Sequence, residues 1–351
     1  MLDPSLWLLI LIIALAIGFA VVNGFNDAAN AIAAVVGTRV LSPRNAIILA
    51  AFFNLAGAAT GLAVAMTIGK GILAPEVISE FKYVPVIAAL ASIIVWGTIA
   101  TYYGLPISIT HGFVAGLAAA GIALAGSGAV MWGWSSRLTQ TLSAVVTAPV
   151  LGFTGGFALM VILLWLFRRR APATIRGIFS NLQILSSAFI AYSHGKNDGQ
   201  MPIGVIAMAL VIYYQQIGQS GQAATVWDEI GFGGNFWWVI VVSALAISLG
   251  TAVGGWRVIR TLGLRITALQ PINGFAAQAS AATVIEIASH LGIPVSTTHC
   301  MSTSIMGVGA IRRFSAVRWG VAGNIIAAWI LTFPICGGLG YLFARLLGMI
   351  S

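Results

Sequence analysis

The sequence predicts an all-α, polytopic membrane protein with about 10–12 transmembrane or re-entrant helices in two inverted-topology repeats. Of the 351 residues, 59% are hydrophobic and only 7% are charged, and the mean hydropathy is +0.99. An ordinary soluble domain carries about 25% charged residues, so a soluble protein is excluded. The apolar runs are continuous, whereas strands of a membrane β-barrel alternate between apolar and polar residues. In addition, a pair of polar motifs occurs once in each half of the chain.

Ten apolar segments are expected to enter the membrane, where a crossing helix needs about 20 apolar residues. Two of them, 5–37 and 178–214, are too long for one straight crossing, and each contains a polar cluster with glycine. We expect both to be broken or doubled helices, which raises the count to twelve. The ten segments are 5–37, 45–67, 84–103, 107–126, 138–167, 178–214, 236–256, 268–290, 295–311 and 317–347.

The basic residues predict the orientation in the membrane. With the N-terminus outside, twelve of the 17 fall on the cytoplasmic side and four outside, as the positive-inside rule requires. Both termini are therefore predicted outside. Despite the net charge of +9, nucleic acid is not expected as a partner, because the basic residues form short clusters between apolar runs. The cytoplasmic residues are Arg39, Arg44, Arg168, Arg169, Arg170, Arg176, Arg257, Arg260, Arg265, Arg312, Arg313 and Arg318, and the outside ones are Lys70, Lys82, Arg137 and Arg345.

Two polar motifs occur twice, in the same order. NGFNDAAN at 23–30 recurs as HGKNDGQM at 194–201, and GLPISITH at 104–111 recurs as GIPVSTTH at 292–299. Five crossings precede the arginine-rich loop near 168–176, and an odd number turns the second half upside down. The predicted division is a first repeat at 1–170 and a second, inverted repeat at 171–351. A parallel repeat would need an even number of crossings and would spoil the arginine distribution.

The paired Gly-x-Asn-Asp and Pro-x-Ser-x-Thr-His motifs resemble those of the inorganic phosphate transporter family, whose members are cation-coupled phosphate symporters. The resemblance covers nearly the whole chain, which lacks the long central hydrophilic loop of animal members and so is similar to the short prokaryotic ones. It implies import of inorganic phosphate with Na+ or H+ by alternating access, without a cofactor besides the coupling ion. It also implies a multi-pass protein of the plasma (inner) membrane, in contact with the lipid bilayer, that forms a homodimer and has a soluble regulatory partner.

Acidic residues inside apolar segments are scarce, and only Asp27, Asp198 and Glu286 lie there. An intramembrane carboxylate is costly unless it is paired, so each of them predicts a functional site. For the two aspartates the alternative is a helix-end cap or an interhelical hydrogen bond. For Glu286 it is a basic partner on a neighbouring helix.

The Asn-Asp motifs suit Na+, a hard cation that prefers oxygen ligands. A carboxylate, an amide oxygen and freed backbone carbonyls supply such oxygens where a helix is interrupted, and Gly24 and Gly195 would permit the interruption. The second motif departs from the first after Asp198, where Gly199, Gln200 and Met201 follow, and Gln200 is the candidate substitute for the third amide ligand. The resemblance implies a cation-binding set of Asn26, Asp27, Asn30, Asn197 and Asp198, completed here by Gln200.

The Pro-x-Ser-x-Thr-His motifs suit an anion. A helix that begins there exposes backbone N–H groups and a favourable dipole, and hydroxyl groups add donors without fixed charge. Ile109 stands where the second copy has Thr297, so the contacts cannot be symmetric. The alternative is that these hydroxyls only bond backbone carbonyls in packed helices. The predicted phosphate-binding residues are Asp27, Ser108, Thr110, Asp198, Ser296, Thr297 and Thr298.

Phosphate is preferred over sulfate, because HPO4(2−) carries a proton that a carboxylate accepts and sulfate carries none at neutral pH. A sulfate or other oxyanion permease on the same scaffold, an intramembrane enzyme with His111 or His299 as base, and a passive anion channel stay open as alternatives. His111 and His299 are candidates for a proton relay or for hydrogen bonds between helices. Lys196 is expected to snorkel to the interface or to form a structural pair. The alternatives are that it contacts phosphate or occupies the place of a cation, and Glu286 is a further helper candidate.

Overall fold

The computed structural model describes residues 4–311 and 313–349, and these residues are helical almost throughout, without a named strand. The all-α prediction is confirmed. Arg312, one of the predicted cytoplasmic cations, lies outside the described residues. The helices are α1 (Pro4–Gly37), α2 (Pro43–Ala58), α3 (Ala63–Lys70), α4 (Pro75–Phe81), α5 (Val84–Tyr103), α6 (Ile109–Ala125), α7 (Arg137–Leu166), α8 (Pro172–Asp198), α9 (Gln200–Gln216), α10 (Ser220–Thr225), α11 (Trp237–Val253), α12 (Trp256–Arg260), α13 (Pro271–His290), α14 (Thr297–Ala310) and α15 (Trp319–Leu347), with a π-helical turn at Thr261–Arg265.

Each of the ten predicted apolar segments is largely helical, and 45–67 is divided between α2 and α3. Among the described residues, α1, α5, α7 and α15 are each long and apolar enough to cross a membrane. Two bent pairs qualify as broken spans: α2 with α3, bent by 69°, and α11 with the helical stretch after it, bent by 62°. Four to six spans therefore follow from length and composition, which supports a multi-pass membrane protein. The count of ten to twelve stays a prediction.

The first polar motif does not break its helix, so that expectation was wrong. α1 runs continuously for 34 residues, with Gly24 in its middle. The second motif is interrupted only by Gly199, whose φ of −67° and ψ of −21° keep a helical conformation between α8 and α9. The motif side chains are therefore presented from helical backbone, whose carbonyl groups are largely committed to the helix.

The motif glycines allow helices to cross closely. A Cβ added at Gly24 would overlap backbone atoms of α11, and one at Gly250 of α11 would overlap α1. In the same way, a Cβ at Gly195 would overlap the Asn54 carbonyl group of α2, and one at Gly57 would overlap α8. Small residues let membrane helices approach at their backbones. α1 and α8 carry the two copies of the Asn-Asp motif. Each of them crosses a helix of the other half, α1 crossing α11 and α8 crossing α2.

The second motif of each half follows a glycine turn. Gly104 and Gly292 both have φ of +71°, a left-handed conformation that glycine adopts without strain. The chain then runs extended into the protein and begins α6 or α14. Each turn is held by a threonine, since Thr261 donates to the Gly104 carbonyl at 3.0 Å and Thr67 to the Gly292 carbonyl at 2.6 Å.

The two halves share further packing partners. α6 packs on α15, and α14 packs on α7, so each half places its motif-bearing short helix against the last long helix of the other half. The order of elements and these pairings agree with a duplicated architecture. The inverted orientation and the boundary at 170/171 stay predictions.

We expect Gly195→Ala to destabilise the protein, because the new methyl group would meet the α2 backbone. Overpacking of a tight contact costs about 1–3 kcal/mol. The matched control is Gly177→Ala on the same helix, where nothing lies within 4 Å of the added Cβ; this change should be neutral or slightly stabilising. Thermal unfolding of both purified variants in detergent checks the expectation, and equal midpoints would contradict the close crossing.

Candidate functional site

Two buried carboxyl groups form the centre of the candidate site. Asp27 on α1 is 2% exposed, and Asp198 at the end of α8 is fully buried. His194, one helical turn before Asp198, joins them, and ligand atoms of the three side chains all lie within 4.8 Å of one another. The structure thus brings together the two aspartates that the sequence singled out. Two carboxylates and an imidazole whose ligand atoms lie this close together could hold a cation.

The N-terminus of α14 reaches both aspartates. Ser296 caps the helix, since its Oγ accepts from the His299 N–H at 3.1 Å. Thr298 Oγ1 donates to Asp27 Oδ1 at 2.5 Å, and Thr297 Oγ1 is 3.3 Å from Asp198 Oδ2. The two hydroxyls and the positive end of the helix dipole therefore stabilise the carboxylates from one side.

One face of α1 carries amide groups with free oxygens. Asn30 Nδ2 lies 3.3 Å from Asp27 Oδ1 and donates to the hydroxyls of Thr297 and Thr298 at 3.2 and 3.0 Å, and Asn26 Nδ2 donates to a threonine of α5 at 2.6 Å. Within the described residues, the buried Oδ1 atoms of Asn23, Asn26 and Asn30 accept no hydrogen bond. Buried polar atoms are normally satisfied, so three free oxygens on the helix face that carries Asp27 suit cation ligands.

Asn197 contacts the backbone of the segment before α14. Its Nδ2 donates to Asp198 Oδ1 at 2.6 Å and to the Val295 carbonyl at 2.7 Å. Its Oδ1 is approached by the Ser289 hydroxyl at 3.3 Å and the Val295 N–H at 3.4 Å. Asn197 thereby fastens the extended segment before α14 to α8. The role of Asn197 as a cation ligand stays a prediction, and the two contacts to its oxygen are long.

Gln200 of the second motif and Thr110 of α6 have hydrogen-bond partners other than the aspartates. Gln200 caps α3: its Oε1 accepts from the N–H groups of Val64 and Ala65 at 2.9 and 3.3 Å. The residue before α3, Leu62, has no side-chain hydrogen bond to the helix, and the first N–H groups of a helix have no partner within it. The Gln200 oxygen accepts from them instead. Thr110 of α6 directs its hydroxyl to Met201 Sδ at 3.3 Å. Among the described residues, the hydrogen bonds of Gln200 and Thr110 do not include either carboxylate.

The two motif histidines pack against each other. Ser108 caps α6 through the His111 N–H at 3.1 Å, as Ser296 caps α14. The ring centroids of His111 and His299 are 5.1 Å apart, and the His299 ring lies 3.9 Å from that of Trp329. Within the described part of the chain, neither ring nitrogen of either histidine has a hydrogen-bond partner. Their role as a proton relay stays a prediction.

Lys196 and Glu286 form an ion pair between α8 and α13. Ser193 Oγ is 3.4 Å from Glu286 Oε2 and adds a weak contact. The two charged side chains are partly exposed, at 16% and 28%, unlike the buried aspartates. Among the readings of Lys196, the structure favours the structural pair.

Sequence reasoning missed a chain of side-chain contacts that leads to Asp198. His194 Nε2 is 3.2 Å from Asp198 Oδ2, and His194 Nδ1 is 2.7 Å from Asn54 Oδ1. Asn54 Nδ2 in turn donates to Thr251 Oγ1 of α11 at 2.8 Å. The sequence contains one indication of this role for His194. It is the first residue of the second motif copy and so corresponds to Asn23 in the first copy.

The comparison with protein families decides the identity. The profile described as “Phosphate transporter family” matches residues 23–340. This chain belongs to the phosphate transporter family. A “Probable low-affinity inorganic phosphate transporter” of Rhizobium meliloti (strain 1021) is 40% identical over 331 residues, covering 93% of this chain and 92% of that protein. The protein of the same name from Bacillus subtilis (strain 168) is 38% identical over 99% of both chains.

A solved structure agrees with the family assignment. “The sodium-dependent phosphate transporter” matches this transporter with a TM-score of 0.85 and 27% identity, covering 98% of this chain and 100% of that one. The resemblance stated from the motifs is therefore confirmed, together with the fold class. The enzyme alternative is set aside, because the family and the similar proteins are transporters rather than enzymes.

We expect Thr298→Val to weaken the apparent affinity for phosphate by about 10- to 100-fold, the usual effect of losing a hydrogen bond to a charged group. The change removes the donor to Asp27 and the acceptor of Asn30 while preserving the side-chain shape. Thr298→Ser keeps the hydroxyl and should retain most of the affinity. Concentration dependence of phosphate uptake in proteoliposomes checks the pair. Equal affinities in the valine and serine variants would show that the hydroxyl is dispensable.

Proposed function

We propose that this transporter imports inorganic phosphate by symport with Na+, through alternating access around the Asp27–Asp198 cluster. The observation that carries the proposal is the position of Thr297 and Thr298, at the start of α14 and hydrogen-bonded to both carboxyl groups. A helix N-terminus favours an anion, and paired carboxylates favour a cation, so one small site suits both ligands. The name of the sodium-dependent structural neighbour supports Na+ as the coupling ion.

Charge neutralisation supplies the coupling mechanism. Two unit charges about 4 Å apart repel each other by about 4 kcal/mol at an effective dielectric constant of about 20. Phosphate therefore binds poorly beside Asp27 and Asp198 while both are ionised and uncompensated. Na+ held by the carboxylates and by the amide oxygens of α1 removes this repulsion, so the anion binds after the cation. The linkage is reciprocal, since bound phosphate also raises the affinity for Na+.

The membrane arrangement belongs to the same proposal. Residues 1–170 and 171–351 form inverted repeats that meet at the site, both termini lie outside, and the membrane is the plasma membrane. The corresponding crossings of α1 with α11 and of α8 with α2 support the duplication. The homodimer and the soluble regulatory partner stay predictions of the family resemblance.

Sulfate transport is the second candidate, because an oxyanion of the same shape meets the same donors. Phosphate is favoured by the carboxyl groups, which accept the proton of HPO4(2−). A site built to accept a proton donor rejects a ligand without one. Excess sulfate should therefore compete weakly with labelled phosphate.

Proteoliposomes with imposed gradients test the symport. We expect an inward Na+ gradient to drive labelled phosphate above equilibrium, and we expect Asp27→Asn or Asp198→Asn to abolish this concentrative uptake. Each change removes a negative charge that holds the cation while keeping the side-chain size. Asp228→Asn, in an exposed loop, is the matched control and should transport as the parent does.

The outcomes separate the alternatives. Uptake driven by a pH gradient without Na+ would replace the coupling ion by H+. Uptake that ignores both gradients would indicate a channel or a uniporter. Full concentrative uptake by either aspartate variant would remove the cluster from the mechanism, and sulfate competing as well as unlabelled phosphate would contradict the assigned substrate.

A further inference from the structure

We propose that the site holds a single Na+ per chain, on the α1 side, and that Met201 eliminates the second cation position that the duplicated motif would otherwise build. This inference rests on the proposed symport with Na+ and specifies its stoichiometry. Duplication of the Asn-Asp motif suggests two equivalent cation positions. The contacts around the two motifs are not equivalent.

The first motif presents free oxygens. Asn23, Asn26 and Asn30 lie on one face of α1 together with Asp27, because residues three and four apart share a helix face. Among the described residues, all three amide oxygens are buried and accept no hydrogen bond. Three amide oxygens and a carboxylate approach the number of ligands that a hard cation prefers.

The second motif presents no such oxygen at the matching positions of the described chain. The counterparts of the three asparagines are His194, Asn197 and Met201. The His194 ring contacts Asp198 and Asn54, and the Asn197 oxygen is approached by the Ser289 hydroxyl. Met201 offers a soft thioether, which suits soft metals rather than Na+.

The facing helices increase the difference. α14 supplies hydroxyls from both Thr297 and Thr298, which reach the aspartates. At the matching positions of α6 stand Ile109, which has no polar atom, and Thr110, whose hydroxyl is taken by Met201 Sδ. The second position therefore lacks the free amide oxygens of the first, and the hydroxyl at Asp198 comes from Thr297 of α14 rather than from α6.

The direct test is the number of Na+ ions bound by the purified, full-length protein. Equilibrium dialysis with radiolabelled Na+ in the presence of inorganic phosphate should give about one ion per chain at saturation. The Na+ dependence of uptake should be hyperbolic, with a Hill coefficient near one. Two ions per chain would overturn the inference while leaving the symport intact. No bound Na+ would overturn both, and so the two failures are distinguishable.

Substitution at the second position tests the role of Met201. The double change Met201→Asn with Ile109→Thr introduces the oxygens that Asn30 and Thr297 supply at the matching positions. We expect this variant to bind about two ions per chain, with a Hill coefficient approaching two. Met201→Leu with Ile109→Val preserves the apolar character and should keep one ion. An unchanged stoichiometry in a folded, Na+-binding double variant would contradict the assignment to Met201. If that variant does not fold, the ion count of the parent protein still decides the proposal.

Discussion

Burial of two carboxyl groups inside a membrane protein is the constraint on which the rest of the structure depends. Asp27 and Asp198 cannot draw on bulk water, so donors from the protein must replace it. Thr297 and Thr298 do so from the start of α14, which lies inside the protein because the chain turns at Gly292 and then runs inward. The extended segment between Gly292 and α14 thus positions the N-terminus of α14 beside the two carboxyl groups.

Helix packing and site geometry are coupled through glycine. Gly195 and Gly57 let α8 and α2 cross with their backbones close together. At that separation Asn54 of α2 reaches His194, and His194 in turn contacts Asp198. A side chain at either glycine would separate the helices and break this chain of contacts. The motif glycines therefore act on the site through interhelical distance rather than through a helix break.

The fold class and the two aspartates were predictable because charges in this chain are scarce and the motifs are duplicated. The continuity of α1 was not predictable, since a glycine in an apolar helix is compatible with a break and with a close crossing alike. The partners of Gln200 were hidden for another reason. Its oxygen caps α3, a helix distant in sequence, and only the tertiary fold shows that this oxygen is engaged.

Asn26 and Asn197 show that matching positions of a duplicated motif can have different contacts although the residue type is the same. Both are the asparagine before the aspartate, yet the Asn26 oxygen is free among the described residues, whereas the Asn197 oxygen faces Val295 and Ser289. The difference comes from neighbours outside the motif. The second copy holds the segment before α14 in place, and the first copy keeps its amide oxygens free. A methionine at position 201 therefore replaces no residue that the proposed cation site needs. Divergence of the second copy is then tolerated under the proposed symport, in which the first copy holds the cation.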